Sequence, residues 1–573
     1  MALRSIAEVS LTFYNRPIVV SNAASPNRRF LPLALLLAAL TLGPAAPAQV
    51  GTPPKAEAAD LRAGGGRLVL VLPFDNLSGQ PNLNWIGDSF PYTLDQRLAS
   101  AGFLTISRDD RQYALDHLGL PPDFRPSRAT TIRIAQTLDV DYVIVGSFNV
   151  SNAGADAGRI SVQAQVLEVN QLRMSAPLVD SSELTRLFDV ENAIAWKIAQ
   201  RMDPHFAVAE QTFLAAAGGV RLSSFEDYIR GTSAPTPEER LKRLEAAVAE
   251  TPGYTAALLA LGKEQYAARQ YDAAAATLAK IQPTDRVALE AGFYLGLARF
   301  NNAKYAEAAA AFAFVASRLP LPEVVNDQGV AASRQGKDAA PLFEQAIAAD
   351  PSDPDYHFNL AVALLRRSDI PRATSEVETA LKLHGTDLEA AELLTRLQST
   401  HGATANLKAA IGAGGFDPTT RIRRTWSEAS FRQAAFQLDQ IRAIRMAALP
   451  PAEQSIQYGQ LGQEYLAQGL LPEAEQEFQT ALAADPKSAA AHAGIAMVRE
   501  RSGAAADARA EAQTSLQLAP SVTAYLVLAR LDLQADQLPA SAADVADALR
   551  LEPANSAALG MKSALATRGQ ALP

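Results

Sequence analysis

Residues 455–486 read SIQYGQLGQEYLAQGLLPEAEQEFQTALAADP. Tyr458, Leu461 and Tyr465 share one face of a first helix, and Ala474, Phe478 and Ala481 share one face of a second, both at three- and four-residue spacing. Gly462 and Ala474 are small where the two helices must cross closely. Pro486 stops the second helix, because proline has no N–H to continue the ladder and biases its predecessor, Asp485, away from helix. One such hairpin leaves an apolar face uncovered, so the pattern predicts stacked neighbours.

The neighbours are present. Pro252, Pro320, Pro351, Pro486, Pro520 and Pro553 each close a second helix, Pro283 closes a shortened one, and the last three stand 34 and then 33 residues apart. With Tyr458, Leu461, Gly462, Tyr465, Ala474, Phe478, Ala481 and Pro486 in their places, the unit resembles a tetratricopeptide (TPR) repeat. Five more worn units precede it: Arg221–Gly253, Tyr254–Asp285, Leu289–Pro322, Glu323–Pro351 and Pro354–Gly385, followed by a lone helix at Leu388–Ser399. Two units follow it, Ala489–Pro520 and Val522–Pro553, and Ser556–Thr567 reads as the capping helix a repeat array requires. The resemblance implies an inner groove, lined by positions 2, 5, 9 and 12 of each first helix, that holds a partner peptide or helix. In the last three units these positions include Gln463, Leu466, Met497, Glu500, Arg530 and Leu533. Gly459, Ala493 and Leu526 occupy the fifth positions, so a basic clamp for a C-terminal carboxylate is not expected. A mixed apolar and charged groove suits a helix or an extended segment.

Upstream, periodicity changes. Arg67–Phe74 is a continuous apolar run of strand length closed by turn-forming residues 75–79. Helical spacing follows over Trp85–Ser100, then a short strand at Phe103–Ser107 and two helices near Arg111–Leu118 and Thr130–Leu138. Asp141–Val150 and Arg159–Val169 are rich in strand formers; the second alternates Ile160, Val162, Ala164 and Val166 with polar residues. A turn over 152–158, a third strand near Leu172–Val179 and a helix over Ser182–Met202 complete a small α/β sandwich. The stretches VLPFDNLSG (71–79), WIGDSFPYTLDQRLAS (85–100), FLTISR (103–108), DVDYVIVGSF (139–148) and ISVQAQVLEV (160–169) resemble the TolB amino-terminal-like domain, with its FlgO- and CsgG-type relatives. That resemblance implies a non-catalytic interaction or assembly module of the bacterial envelope, or the sensory half of a signalling protein.

At the start of the chain, Asn27-Arg28-Arg29, an apolar run from Phe30 to Leu42 and Ala46-Pro47-Ala48 follow the order of a secretory signal peptide, with cleavage near Ala48. Residues 49–66, rich in Pro, Ala and Gly, read as a flexible linker. The 573-residue chain contains no cysteine, which excludes disulfides, thiolate metal sites and a lipid-anchored cysteine. Its net charge of -9 argues against nucleic acid as the main partner, since phosphate binding needs a basic footprint.

Residues 400–451 interrupt the rhythm. A flexible loop is expected at Gly412–Gly415, then a helix over about 425–449 among Arg421, Arg423, Arg424, Arg432, Arg442 and Arg445, with Trp426, Phe431 and Phe436. One reading is a basic patch for an acidic partner or for anionic lipid head groups, giving peripheral envelope association. The other is an eroded repeat pair whose aromatics are core and whose arginines are solvated, and the helical spacing of the aromatics favours it.

Catalytic constellations do not appear. The six histidines, 117, 205, 357, 384, 401 and 492, lack metal-ligand spacing, and His357 and His492 share the fourth repeat position, where a packing residue belongs. No phosphate loop or nucleophile elbow is present, and the pairs Asp109-Asp110 and Asp139/Asp141 read as surface acids. The expectation is an α+β multidomain protein: a signal segment (1–48), a linker (49–66), an α/β domain (67–205), a TPR block (221–399), an irregular connector (400–451) and a second TPR block (452–568). Its expected role is a periplasmic or envelope-associated, non-enzymatic scaffold that binds protein partners and needs no cofactor or metal. A signal-sensing adaptor whose α/β domain binds a small ligand is the alternative.

Overall fold

Strand β1 (Leu68–Val71) is buried on both faces, as a continuous apolar run should be in a parallel sheet covered by helices on both sides. The structure, a computed structural model, describes residues 68–120, 127–151, 158–215, 220–399, 416–426 and 428–573. The expected signal segment and linker (1–66), most of the expected 152–158 turn, the expected 412–415 loop and the side chains of Arg432 and Phe436 lie outside the described residues. By contacts the chain forms two compact units, one of Asp338–Arg421 and one of Gly66–Lys337 with Ile422–Pro573. The division expected at 400–451 is therefore not the one the contacts make.

In the larger unit, β1 pairs in parallel with β3 (Leu104–Thr105) and with β4 (Tyr142–Ser151). A two-residue β2 (Asp75–Asn76), in the expected turn, also pairs with β4. Strand β5 (Arg159–Glu168) runs antiparallel to β4 over ten residue pairs, from Tyr142 opposite Glu168 to Ser151 opposite Arg159. The single third strand expected at Leu172–Val179 is instead two: β6 (Arg173–Met174) and β7 (Leu178–Glu183), both on β5. Ser182 and Glu183 belong to β7, so the following helix starts at Leu187 and not at Ser182. These polar residues extend the edge strand because β5 offers its ladder as far as Arg159.

Helices α1 (Asn84–Ser100) and α4 (Leu187–Met202) cover one sheet face, where Val69, Val71, Phe90, Leu94, Ile160, Val162 and Ile194 share a core. Helices α2 (Arg108–His117) and α3 (Arg128–Thr137) belong to the other, with Leu70, Leu115, Ile134 and Val143. Four residues of the stretches 71–79, 85–100 and 139–148 meet at the first core. Phe74 stacks on Phe90 at 4.1 Å, its N–H donates to the Gly87 carbonyl at 3.0 Å, and a Cβ on Gly146 would sit 2.3 Å from its ring. Asp141 is structural: its carboxylate accepts the Leu68 N–H at 3.0 Å and pins the start of β1.

Among the described residues, this domain and the first repeat share one core. After the short α5 (Glu210–Ala215), helices α6 (Leu222–Ser233) and α7 (Pro237–Glu250) bring Phe225 and Tyr228 into the sheet-side core. There Phe225 meets Trp85, Tyr92 and Phe188, while Tyr228 meets Tyr92 and Tyr254. Helices α8 (Thr255–Ala267) and α9 (Tyr271–Leu278), α10 (Ala288–Asn301) and α11 (Tyr305–Arg318), then α12 (Pro322–Arg334) continue the array in this unit. The smaller unit holds α13 (Ala340–Ala349), α14 (Pro354–Arg366), α15 (Ile370–Leu383) and α16 (Leu388–Ser399) around Phe358, Val377 and Leu393.

Helix α17 (Glu428–Ala447) precedes three regular hairpins in the larger unit. They are α18 (Pro451–Ala467) with α19 (Leu471–Ala484), α20 (Ala489–Arg501) with α21 (Ala505–Leu518), and α22 (Val522–Gln534) with α23 (Leu538–Leu551). Helix α24 (Ser556–Thr567) closes the row. Phe478, fully buried, sets the helix spacing: a Cβ on Gly462 would fall 2.7 Å from its ring and one on Gly494 2.4 Å. This block also packs on the exit of the α/β domain, where the buried Glu475 carboxylate accepts the Ala209 N–H at 3.0 Å and pairs with Arg499 at 2.7 Å. Among the described residues no helix is long and apolar enough to cross a membrane.

Candidate functional site

The first helices α20 and α22 lie side by side, and their repeat positions 9, 12 and 13 enclose a groove of about 440 Å³ lined by Met497, Glu500, Arg501, Arg530 and Gln534. Met497 and Arg530 are equivalent residues of successive repeats, as are Arg501 and Gln534. The groove's charge is organised by one pair: Arg530 Nε donates to Glu500 Oε1 at 2.6 Å and Nη2 to Oε2 at 2.5 Å. A side-on guanidinium–carboxylate pair fixes both side chains in a plane and leaves little net charge between them. Arg501 donates at 2.6 Å to the Leu466 carbonyl near the end of α18, which also accepts the Gly469 N–H at 3.1 Å, so the side chain ties α20 to the end of the preceding first helix. Beyond the groove, Arg509 pairs with the nearly buried Asp532. The result is an apolar Met497 beside a paired, oriented ion pair, with exposed amide donors and acceptors at Gln534.

Of the six expected groove residues, Met497, Glu500 and Arg530 come together here. Gln463, at the equivalent position of the preceding repeat, is exposed. Leu466 is not a groove residue: it is 1 % exposed and packs with Leu471, Phe478, Ile495 and Val498, because an apolar side chain at position 12 gains more from the inter-repeat core than from solvent. Leu533 is half-buried against the core of the last repeat. Arg501 and Gln534 were missed, although each directly follows a position-12 residue and points from the same helix end.

The described arginines of the cluster do not share one role. Arg421 belongs to the smaller unit, where Asp355, Asp387 and Glu389 hold its guanidinium at 2.6–3.0 Å and the Phe358 ring lies 3.7 Å from it. It is neither a basic patch nor a solvated face. In the larger unit the Arg423 N–H donates to the buried Asp327 at 2.8 Å, and Trp426 and Phe431 pack into a core with Phe293, 5.5 Å from Trp426. Burial pushes the Asp327 carboxyl well above its ordinary range, against the Arg423 N–H and the Asn326 amide that accompany it. Arg424, Arg442 and Arg445 are exposed.

The two repeat-position-4 histidines are equivalent. His357 Nδ1 lies 2.7 Å from Glu376, and His492 Nδ1 lies 2.7 Å from Glu511, each carboxylate nineteen residues further on in the second helix of the same repeat. Among the described residues no group of three His, Cys, Asp or Glu is placed to hold a metal ion. In the α/β domain the fully buried Glu191 accepts from Thr93 Oγ1 at 2.7 Å and from Ser89 Oγ. Burial raises its pKa to about 7 against the lowering effect of those two hydroxyls.

Paired antiparallel helices with a small residue under a large aromatic, repeated with a proline stop, define tetratricopeptide repeats. The tetratricopeptide-repeat family matches residues 327–387 and 460–522, so the chain contains TPR repeats in both parts of the array. Solved structures with local likeness include MamA, at 17% identity over 27% of this chain and 94% of that one, TM-score 0.26. YrrB, described as a TPR protein with an unusual peptide-binding site, has 14% identity over 34% of this chain and 96% of that one, TM-score 0.26. The LpoB C-terminal domain from Escherichia coli has 24% identity over 21% of this chain and 84% of that one, TM-score 0.18. No curated protein matches the chain.

Proposed function

We propose that the protein is a non-enzymatic scaffold that captures a protein partner, as a helix or an extended segment, in the groove between α20 and α22, and that it does so as an exported component of the cell envelope. The observation that carries the reading is the groove itself: about 440 Å³ between adjacent first helices, with an apolar Met497 beside the oriented Arg530–Glu500 pair. Such a surface offers one apolar anchor and a rim of fixed donors and acceptors, the arrangement that seats a peptide or helix. The buried ionisable groups Glu191, Asp327 and Glu475 are enclosed in packing and have no exposed surface from which to act on a substrate, which supports a non-enzymatic role. The basic, apolar, small-residue order at 27–48 supports export.

Fractionation of tagged protein with sequencing of its mature N-terminus tests the compartment; an intact leader in the cytoplasm refutes export. Met497→Asp, which places a carboxylate at the apolar anchor, tests the groove. Partner capture by the envelope fraction is expected to be lost while the helical circular dichroism is retained, and unchanged capture removes the groove from the mechanism.

A further inference from the structure

Within the unit Asp338–Arg421, the stretch 416–421 has neither helix nor strand and runs beside α14 and α16. Its last residue is held in two ways at once. The Arg421 N–H donates to Asn359 Oδ1 at 2.6 Å, and the Arg421 carbonyl accepts from Asn359 Nδ2 at 2.8 Å. One amide thus reads both main-chain groups of one residue, a contact indifferent to the side chain it accompanies. Asn359 is fully buried with the 416–421 main chain in place. The side chain is read separately. Asp387 takes Arg421 Nη1 at 2.6 Å and Nη2 at 3.0 Å, Asp355 takes Nη1 at 2.9 Å, Glu389 takes Nη2 at 3.0 Å, and the guanidinium carbon lies 3.7 Å from the centre of the Phe358 ring. Forked carboxylate pairing combined with stacking on an aromatic face selects arginine over lysine. Three carboxylates face one guanidinium, so the socket keeps an excess of negative charge even when filled.

We propose that Asp355, Phe358, Asn359, Asp387 and Glu389 form a peptide-binding site for an extended segment that presents an arginine, and that Arg421 occupies the site in cis. The site is distinct from the groove of the last repeats and does not depend on it. Its partner is a protein with an arginine in an extended, accessible stretch. Because Arg421 is tethered to the unit that holds the site, it competes at a high effective concentration, and an external arginine segment binds weakly until the resident one is displaced or removed.

The test uses the full-length protein and a fluorescein-labelled peptide of residues 416–421 (Phe-Asp-Pro-Thr-Thr-Arg) with a neutral Gly-Ser tail, read by fluorescence anisotropy. Arg421→Ala protein is expected to bind this peptide about tenfold or more tighter than wild type. The same peptide with lysine or alanine in place of arginine is expected to bind no better to the variant than to wild type. Adding Asp387→Asn to Arg421→Ala is expected to abolish the gain. Arg421→Lys, which keeps chain and charge but loses the fork and the stack, serves as a second vacated-site variant, and circular dichroism and thermal melting accompany each protein. Equal binding by wild type and both variants overturns the proposal. So does equal binding of the lysine and arginine peptides, or loss of the helical signal in both variants without peptide rescue, which would make Arg421 a structural pin alone.

Discussion

Arg530 of the last repeat and Glu500 of the repeat before it meet side-on, thirty residues apart in sequence, through Nε and Nη2 of the guanidinium. The pair links two successive first helices across the groove floor and is partly exposed, Arg530 at 34% and Glu500 at 10% of the side chain. Arg530→Glu therefore sets two carboxylates against each other and is expected to cost stability by about 1 kcal/mol, discounted for solvent screening. Partner capture should fall far more than the melting temperature does. The swapped pair Glu500→Arg with Arg530→Glu should restore the melting temperature but not capture, because the groove's charge order is then reversed. Thermal melting and pull-down on the three proteins check this.

The buried Glu191 makes the α/β domain sensitive to pH. Its pKa is raised from 4.5 to about 7, so between those values the folded protein holds a proton that the unfolded chain has lost, and stability falls as pH rises through that window. Glu191→Gln removes the titration while leaving Thr93 and Ser89 with a partner of the same shape; Ser89 Oγ already lies 2.8 Å from the Ile86 carbonyl and can turn its proton there. Denaturant unfolding should show the variant close to wild type near pH 5 and more stable by on the order of 2 kcal/mol near pH 8. A wild-type stability that does not fall over this range would contradict the buried carboxyl.

His357 gives a pH dependence of the same sign, in one of the repeats. Burial lowers its pKa, but the Glu376 carboxylate and the Pro351 carbonyl outweigh that, and the net shift is upward from 6.5. The pairing with Glu376 is therefore fully stabilising below the unfolded pKa and is lost as pH rises through the raised folded value. His357→Gln should cost more stability near pH 6 than near pH 9, measured as the difference in thermal midpoint between variant and wild type.

Phe478 packs where Gly462 and Gly494 leave room, and the nearer of the two allows no side chain: a Cβ on Gly494 would lie 2.4 Å from the ring. Gly494→Ala is expected to destabilise the C-terminal repeats by roughly 1–3 kcal/mol. In Phe478→Leu the ring is gone, so the same alanine should cost clearly less there, a non-additivity that a double-mutant cycle reads directly. Additive costs would place the strain elsewhere.

The helix boundaries of the repeats were legible because they are local: proline stops, the small Gly462 under Phe478, and the i, i+4 faces all lie within one unit of the chain. Phe74, Gly87 and Gly146 lie in three separate stretches, and nothing local in any of them shows that they touch. The shared core of the α/β domain and the first repeat was not, since Phe225 and Tyr228 at helical spacing say only that they are buried and not against what. Leu466 was placed in the groove by position alone; its chemistry, not its position, sends it to the core, whereas Glu500 at the same position finds Arg530. Arg421 read as one of six basic residues because its three acidic partners lie 32 to 66 residues away, beyond any periodic signal. The split into β6 and β7 was hidden because an edge strand of polar residues, Asp180 to Glu183, carries no apolar alternation.

The groove's role is tested most directly by a photo-crosslinking residue placed at Met497 and, in a second protein, at the exposed Arg550 on the second helix of the last repeat. A partner seated between α20 and α22 gives a discrete crosslinked species from position 497 that disappears in the Arg530→Glu background and is absent from position 550. Crosslinking from position 550 alone, or a species at position 497 that survives Arg530→Glu unchanged, contradicts capture in this groove.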